Sequence, residues 1–451
     1  MASSSKIVPP RGMRDILPEE FFLRERLISV IRDVYESHGY AGIDTPVPER
    51  IEYLTAKAGG ETEQLMFKIM KRAQEGGDEG GAPTELADMG LRYDLTVSLC
   101  RYYATNHAHL PAIFRRYHIA PVWRADRPQR GRLREFYQCD VDVIGIKDSL
   151  PECEVILATT HALRRLDVGE TFVRISDRRL LPIVLTSMGF DDAQSRKAMV
   201  SIDKLDKIGV EGVAKEGEAH FPAELAGKFA AFVKDIASVG RGADIASDVL
   251  GEWGQKCNDA LAPVLDNLRH IKQVVTEASA APVALDFSPS LVRGMAYYTG
   301  PVFEIGSAAE SFSLAGGGRY DGLVGQFLGK EVPAAGFSIG FERIYTLLKE
   351  RKKEELRRTR AIALFAPRAA GIEARSLRDA HSLREAGIKT ELHPFTNDIK
   401  KQFKHAEEMK IRWIVLQSAD GAIELIDSKD RSRTKGDLAH AISRIQEAEK
   451  A

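Results

Sequence analysis

Five arginines crowd one short stretch of the chain, Arg124, Arg127, Arg130, Arg132 and Arg134, and Phe136 follows them. An arginine is always charged, and its planar guanidinium grips phosphate with two parallel hydrogen bonds. Such groups can hold a triphosphate without a glycine-rich cradle. An aromatic ring just past Arg132 can stack on a purine base. Taken alone, this stretch reads as a solvated, salt-bridged hairpin, because charge runs usually sit in water. The residues that follow change the reading. Gln138 and Asp142 share strand parity with Phe136, so polar groups project beside the ring as a site floor would. Arg92, Asp94 and Thr96 (LRYDLT) form another period-2 row. A fixed carboxylate and hydroxyl there can hold an ammonium group, although a solvent-facing strand gives the same pattern.

Three later segments add chemistry. Leu291–Glu304 (LVRGMAYYTGPVFE) sets Arg293 in an apolar, Gly-flanked run with Tyr297 and Tyr298. Leu314–Leu323 (LAGGGRYDGL) has glycines that let backbone approach a ligand closely, with Arg319, Tyr320 and Asp321 as polar contacts. A Gly-rich turn in a sheet is the plainer reading of that run. GFSIGFERI places Gly340 and Arg343 where a strand feeds a helix, a position from which an arginine reaches over a nucleotide. The chain has no GxxxxGK[ST] loop and no GxGxxG after a strand, which disfavours P-loop and dinucleotide-binding folds.

These groups need a scaffold, and the periodicity supplies one. Phe21, Leu27, Val30, Ile31 and Val34 recur at helical spacing from Glu20 to His38, and Gly39 ends that helix. Tyr117 to Ile146 reads as strand, turn, strand, with the turn at Arg127–Arg132. Gln74–Pro83 is an acidic, Gly-rich surface loop. Asp177 to Ala281 reads mainly as helix, and strand-like segments return from Val283 to Phe341. This order predicts a helical insertion inside an α+β catalytic domain. Lys349–Arg360 is a charged helix or linker. Beyond it, strands at Ala361–Phe365, Ile388–Leu392, Trp413–Leu416 and Ile423–Ile426 alternate with helices at Ala374–Ala386, Asp398–Met409 and the C-terminus. From Arg358 onward the chain carries 18 Lys+Arg against 14 Asp+Glu, a balance of +4 that suits an RNA face.

At 451 residues, two or three domains are expected. A net charge of −1 excludes a uniformly basic nucleic-acid coat, so RNA contact must come from local patches. Cys100, Cys139, Cys153 and Cys257 form no Cys-x-x-Cys pair, which argues against structural zinc or a disulfide framework. No apolar run is long enough to span a membrane and no targeting signal is visible, so the expected location is cytoplasmic.

Together the motifs resemble the class II aminoacyl-tRNA synthetases, and within them the histidyl-tRNA synthetase family. The class-level likeness lies in a first motif around Pro46, the WRAD…RGRLREF hairpin and GFSIGFERI; the histidine-specific likeness lies in LVRGMAYYTG and AGGGRYDGL. SIDKLDK (Ser201–Lys207) and EFYQCDVDV (Glu135–Val143) resemble the eukaryotic and archaeal branch. The likeness runs from about Pro10 to the C-terminus. It implies an antiparallel-sheet catalytic domain over 1–176 and 282–350, a helical insertion over 177–281 that clasps the tRNA acceptor arm, and a C-terminal α/β anticodon-binding domain over 358–451.

It also implies roles. Asp94, Thr96 and Gln138 hold the histidine α-ammonium. Asp142 and Tyr298 read the imidazole, with Tyr297 and Tyr320 nearby. Arg124 binds the ATP α-phosphate, Arg132 and Arg343 the outer phosphates, and Phe136 stacks on adenine. Arg293 is the catalytic cation. Mg²⁺ accompanies ATP, histidine tRNA is the partner, and the enzyme is a homodimer joined through the first motif. Two residues depart from the family pattern: Ala296 replaces an acidic residue and Ser98 a proline. Three alternatives compete. A class II synthetase for proline or threonine is opposed by LVRGMAYYTG. A histidine-sensing regulatory subunit is opposed by Arg293 and the complete C-terminal unit. A metal hydrolase rests only on His107 and His109, a pair that lacks further ligands.

Overall fold

The computed structural model describes residues 7–55, 65–71, 87–126, 133–293, 297–308, 310–351, 362–395 and 398–450. The acidic loop Gln74–Pro83, the turn Arg127–Arg132 and Ala296 lie outside the described residues. The chain divides into two compact units, Met1–Ile16 with Arg24–Leu348, and Leu17–Leu23 with Lys349–Ala451.

In chain order the strands of the first unit are β1 (Ala41–Gly42), β2 (Pro48–Arg50), β3 (Lys68–Met70), β4 (Ala87–Leu91), β5 (Phe114–Trp123), β6 (Glu135–Ile144), β7 (Thr171–Asp177), β8 (Ala284–Phe287), β9 (Pro301–Ser307), β10 (Glu310–Arg319) and β11 (Ala334–Gly340). Eight of them form one sheet in the order β1-β5-β6-β11-β10-β9-β7-β8, and β2-β4-β3 form a small second sheet. The large sheet is antiparallel through its centre and parallel at its ends, β1 with β5 and β7 with β8. A parallel pair needs a crossover connection. Between β7 and β8 the crossover is the helical insertion, with helices Leu180–Ser187, Asp192–Ile202, Leu205–His220, Ala223–Ser238, Gly251–Lys256 and Asn258–Ala278. Phe190, Phe221 and Phe229 meet edge to face or tilted in its core.

Alternation sorts the sheet into two faces. On one, Cys139, Val141, Val143, Phe303, Ile305, Phe337 and Ile339 are all buried. The helix Leu150–Leu166 packs against β6 and β11 and buries Val155, Ile156, Ala162 and Leu163. Each large apolar side chain covered in this way contributes about 1.5–3 kcal/mol, so this face anchors the unit. The other face is polar. Arg174, Glu304, Gly316, Ser338, Asp140 and His118 stand directly opposite one another in one row across β7, β9, β10, β11, β6 and β5. A second row holds Gly318, Gly336, Asp142 and Arg116.

One local expectation fails. Arg92, Asp94 and Thr96 do not share a strand: β4 ends at Leu91, and after the short link 92–95 the helix Thr96–Asn106 begins. The Asp94 carboxylate accepts the Val97 N–H at 2.9 Å. A side chain that satisfies a helix's first-turn donors favours the helix over continued strand. Arg92 turns away and donates to the carbonyls of Thr45 (2.7 Å) and Pro121 (3.0 Å). Ser98, in the first turn of this helix, is fully buried.

The second unit has β12 (Ala363–Pro367), β13 (Thr390–Leu392), β14 (Trp413–Gln417), β15 (Ile423–Asp427) and β16 (Arg433–Gly436), ordered β13-β12-β14-β15-β16. Its helices are Glu373–Glu385, Ile399–Glu408 and Leu438–Lys450, and apolar clusters centred on Phe365 and Leu364 cover alternate residues of β12. The sequence reading missed β16, a polar edge strand with Arg433 and Lys435 exposed; an edge of this kind carries no hydrophobic alternation. It also missed that Leu17–Leu23 groups with this unit, an association between distant segments that leaves no local pattern.

Candidate active site

The polar face of the large sheet floors a cleft of about 830 Å³. Asp94, Thr96, Arg124, Phe136, Gln138, Asp142, Arg293, Tyr297, Tyr298, Tyr320 and Arg343 all line it. Arg132 lies outside the described residues. These residues come from β6, from the starts of the helices Thr96–Asn106 and Phe341–Arg351, and from segments between elements, although they span most of the first unit's sequence.

The deep end is acidic and aromatic. Asp142 is 2% exposed, and its carboxylate accepts the Tyr320 hydroxyl and lies 2.7 Å from the Arg116 guanidinium. Gly336 stands opposite it on β11, where a Cβ would overlap the carboxylate. Burial pushes the Asp140 and Asp142 carboxyls upward, and the Arg116 charge opposes that shift. Tyr297 and Tyr298 have ring centroids 4.8 Å apart, and Tyr297 meets Tyr320 edge-on at 6.1 Å. Burial raises all three hydroxyls, so they stay protonated and can donate.

Beside this pocket Asp94 offers its second oxygen, which is buried and has no partner among the described residues. Gln138 donates to Ser338 Oγ at 2.9 Å, while its own amide oxygen is buried without a partner. Both oxygens lack a donor of the kind an ammonium group supplies, and buried polar atoms left unpaired are costly.

The shallower end is cationic. The Arg124 guanidinium lies 5.1 Å over the Phe136 ring and donates to the Tyr93 carbonyl at 2.8 Å. Arg343 donates to the Ser313 carbonyl at 2.6 Å from the first turn of the helix Phe341–Arg351. Arg293 has φ +53°, an uncommon value for a side chain with a Cβ. Its guanidinium packs on Gly316, where a Cβ would overlap it, and pairs with Glu304 at 2.8 Å.

The glycine run therefore serves side chains: Gly316 makes room for Arg293, as Gly336 does for Asp142. Two residues suggested as ligand contacts lie elsewhere. Arg319 grips Glu152 with two bonds of 2.7 Å, and Asp321 accepts the Ala334 N–H at 2.8 Å, so both tie the sheet to its neighbours. His107 and His109 sit in a short turn, and no cluster of three His, Cys, Asp or Glu able to hold a metal exists among the described residues.

The sequence reading missed Arg116, Asp140, Ser338, Arg174 and Glu304. Arg116 shares strand parity with His118, Ala120 and Val122, and only the observed register sets it opposite Asp142. Arg174 and the insertion residues Asp203, Asp206 and Lys207 also line the cleft; the last three lie in the SIDKLDK motif, which gave no hint of this position.

The sequence matches name one family, and one solved neighbour, from Bacillus halodurans C at 19% identity and TM-score 0.74, is described as an ATP phosphoribosyltransferase regulatory subunit/histidyl-tRNA synthetase, a likeness of fold alone. Residues 12–344 match the family model described as histidyl-tRNA synthetase. The chain is 45% identical over 354 residues to a histidine–tRNA ligase of Leifsonia xyli subsp. xyli, covering 77% of this chain and 81% of that one. It is 41% identical to a histidine–tRNA ligase of Aeropyrum pernix, covering 74% and 73%. Among solved structures, a histidyl-tRNA synthetase from Nostoc sp. PCC 7120 superposes with TM-score 0.77 at 26% identity, over 98% of this chain and 100% of that one.

Proposed function

The chain belongs to the histidyl-tRNA synthetase family, and from that premise we propose how its cleft activates histidine and which residues act. The reaction is that of a histidine–tRNA ligase with class II architecture. A histidine carboxylate oxygen bonds to the ATP α-phosphorus, the bond to the β-phosphate breaks, and pyrophosphate leaves with the electron pair. A terminal ribose hydroxyl of histidine tRNA then attacks the adenylate carbonyl and AMP leaves. The relatives matched over most of the chain are ligases, which disfavours a histidine sensor that does not charge tRNA.

In this proposal histidine lies in the deep end. Asp94, Thr96 and Gln138 hold its ammonium, and Asp142 with Tyr298 reads the imidazole, enclosed by Tyr297 and Tyr320. Phe136 stacks on adenine. Arg124 and Arg293 meet the charge that develops at the α-phosphate, while Arg343 and Arg132 hold the outer phosphates. No protein nucleophile is required, so fixed positions and oriented charge supply the acceleration. Mg²⁺ would accompany ATP and would offset the charge of its outer phosphates. The observation that carries the proposal is the convergence on one cleft of two unpaired buried acceptors, Asp94 Oδ2 and Gln138 Oε1, with Arg124, Arg293 and Arg343. The four cysteines are all unpaired, which supports a reducing, cytoplasmic setting. Among the described residues no helix is long and apolar enough to cross a membrane.

The test is pyrophosphate exchange with each amino acid in turn, followed by charging of total tRNA. Histidine alone supports exchange, and only histidine tRNA is charged; exchange with proline or threonine instead of histidine refutes the reading. We assign the unit beyond Arg358 to the anticodon, on the strength of its +4 balance and α/β build. A chain ending at Arg351, shown to be folded by circular dichroism, keeps exchange and charges tRNA poorly. Equal charging by the short and full chains removes the anticodon role.

The proposal includes a homodimer joined around Pro46. Light scattering at micromolar concentration gives twice the mass of one chain; a monomer under those conditions contradicts it.

A further inference from the structure

A line of charges leads from the helical insertion to Arg293. Asp206 lies in the first turn of the helix Leu205–His220, 72% exposed. Its carboxylate accepts Arg174 Nη1 at 2.9 Å. Arg174 donates from Nη2 to Glu304 Oε1 at 2.7 Å, across directly paired positions of β7 and β9. The other oxygen of Glu304 accepts Arg293 Nη1 at 2.8 Å. One carboxylate, 13% exposed, thus serves two guanidiniums. All four residues line the cleft.

The sharing has a consequence. Each guanidinium pulls Glu304 toward itself, and the balance sets where the carboxylate rests. Asp206 holds the outer side of Arg174. Without that charge, two cations compete for one carboxylate, and Arg174 draws Glu304 away from Arg293. Arg293 is sensitive to such a shift, because its guanidinium lies on the bare backbone of Gly316 with no side chain beneath to locate it. A small misplacement of a charge-stabilising group is costly in rate.

We propose that Asp206 is a positioning residue for Arg293, acting through Arg174 and Glu304, so that the helical insertion bears on adenylate formation. This rests on the role given to Arg293 above. A simple surface ion pair, which contributes little to stability, is the competing account.

The experiment uses the full chain and single-turnover adenylate formation at saturating histidine and ATP. Asp206→Asn slows the step by about fivefold, the upper range for one exposed charge pair, and leaves both Michaelis constants within about twofold. Asp206→Glu restores most of the rate. The same Asp206→Asn change is then made in an Arg293→Ala background, whose residual rate is followed in the same assay. A residue that acts through Arg293 has no further effect there. An equal slowing in both backgrounds, or none in the parent, overturns the proposal. If Arg293→Ala itself leaves the rate unchanged, the role of Arg293 fails instead, so the two failures are distinguishable.

Discussion

Arg293→Ala slows adenylate formation by about 10²–10³-fold while the protein stays folded, the range for removing one oriented donor from a reaction centre. The charge on the α-phosphate oxygens is greatest in the transition state, so a guanidinium aimed there lowers the barrier more than it tightens ATP binding. The loss therefore falls on kcat, and the Michaelis constant for ATP moves little. The fold tolerates the change because Glu304 keeps Arg174 at 2.7 Å and is not left as an unpaired buried charge. Alanine accepts the φ of +53° no worse than arginine does, so no new backbone strain arises. Pyrophosphate exchange with a circular-dichroism check decides the matter. A folded variant within about tenfold of the parent rate does not fit a transition-state role.

Asp142→Asn raises the histidine Michaelis constant by about 10²-fold and the ATP constant by no more than about threefold. A pocket built to hydrogen-bond its ligand discriminates through those bonds. Asparagine keeps the shape beside Gly336 but loses the charge. An imidazole N–H then meets a weaker acceptor, and half of the side-chain amide is a donor. The variant also loses stability, because Arg116 is fully buried and loses its anionic partner at 2.7 Å. Breaking such a pair costs about 3–5 kcal/mol, so thermal melting must accompany the kinetics. Equal rises in both Michaelis constants assign Asp142 to structure rather than to histidine.

Much of the site is legible along the chain because strand alternation is a local rule. The order Phe136, Gln138, Asp140, Asp142 puts all four on one face of β6. Gly-rich and arginine-rich segments stand out for a similar reason: charge and lack of a side chain are properties of single residues. Misreadings arose where a side chain's partner lies far away. Arg319 follows the glycine run, yet its partner is Glu152 on another element. Arg92 falls in period with Asp94, yet it is spent on Thr45 and Pro121.

By itself the sequence determined the α+β class and the run of helices between two strand-rich stretches, and it picked out many, not all, of the arginines, carboxylates and tyrosines that line the cleft. These follow from periodicity, turn residues and chemical type, which act over a few residues. Only the tertiary structure decided which of those groups meet. Sheet register brought Arg116 to Asp142 and Arg174 to Glu304, and the crossover between β7 and β8 carried Asp206 back to the same cleft. The physical reason is range: a hydrogen bond or ion pair acts within a few ångströms of space, and strand pairing makes neighbours of residues more than a hundred positions apart.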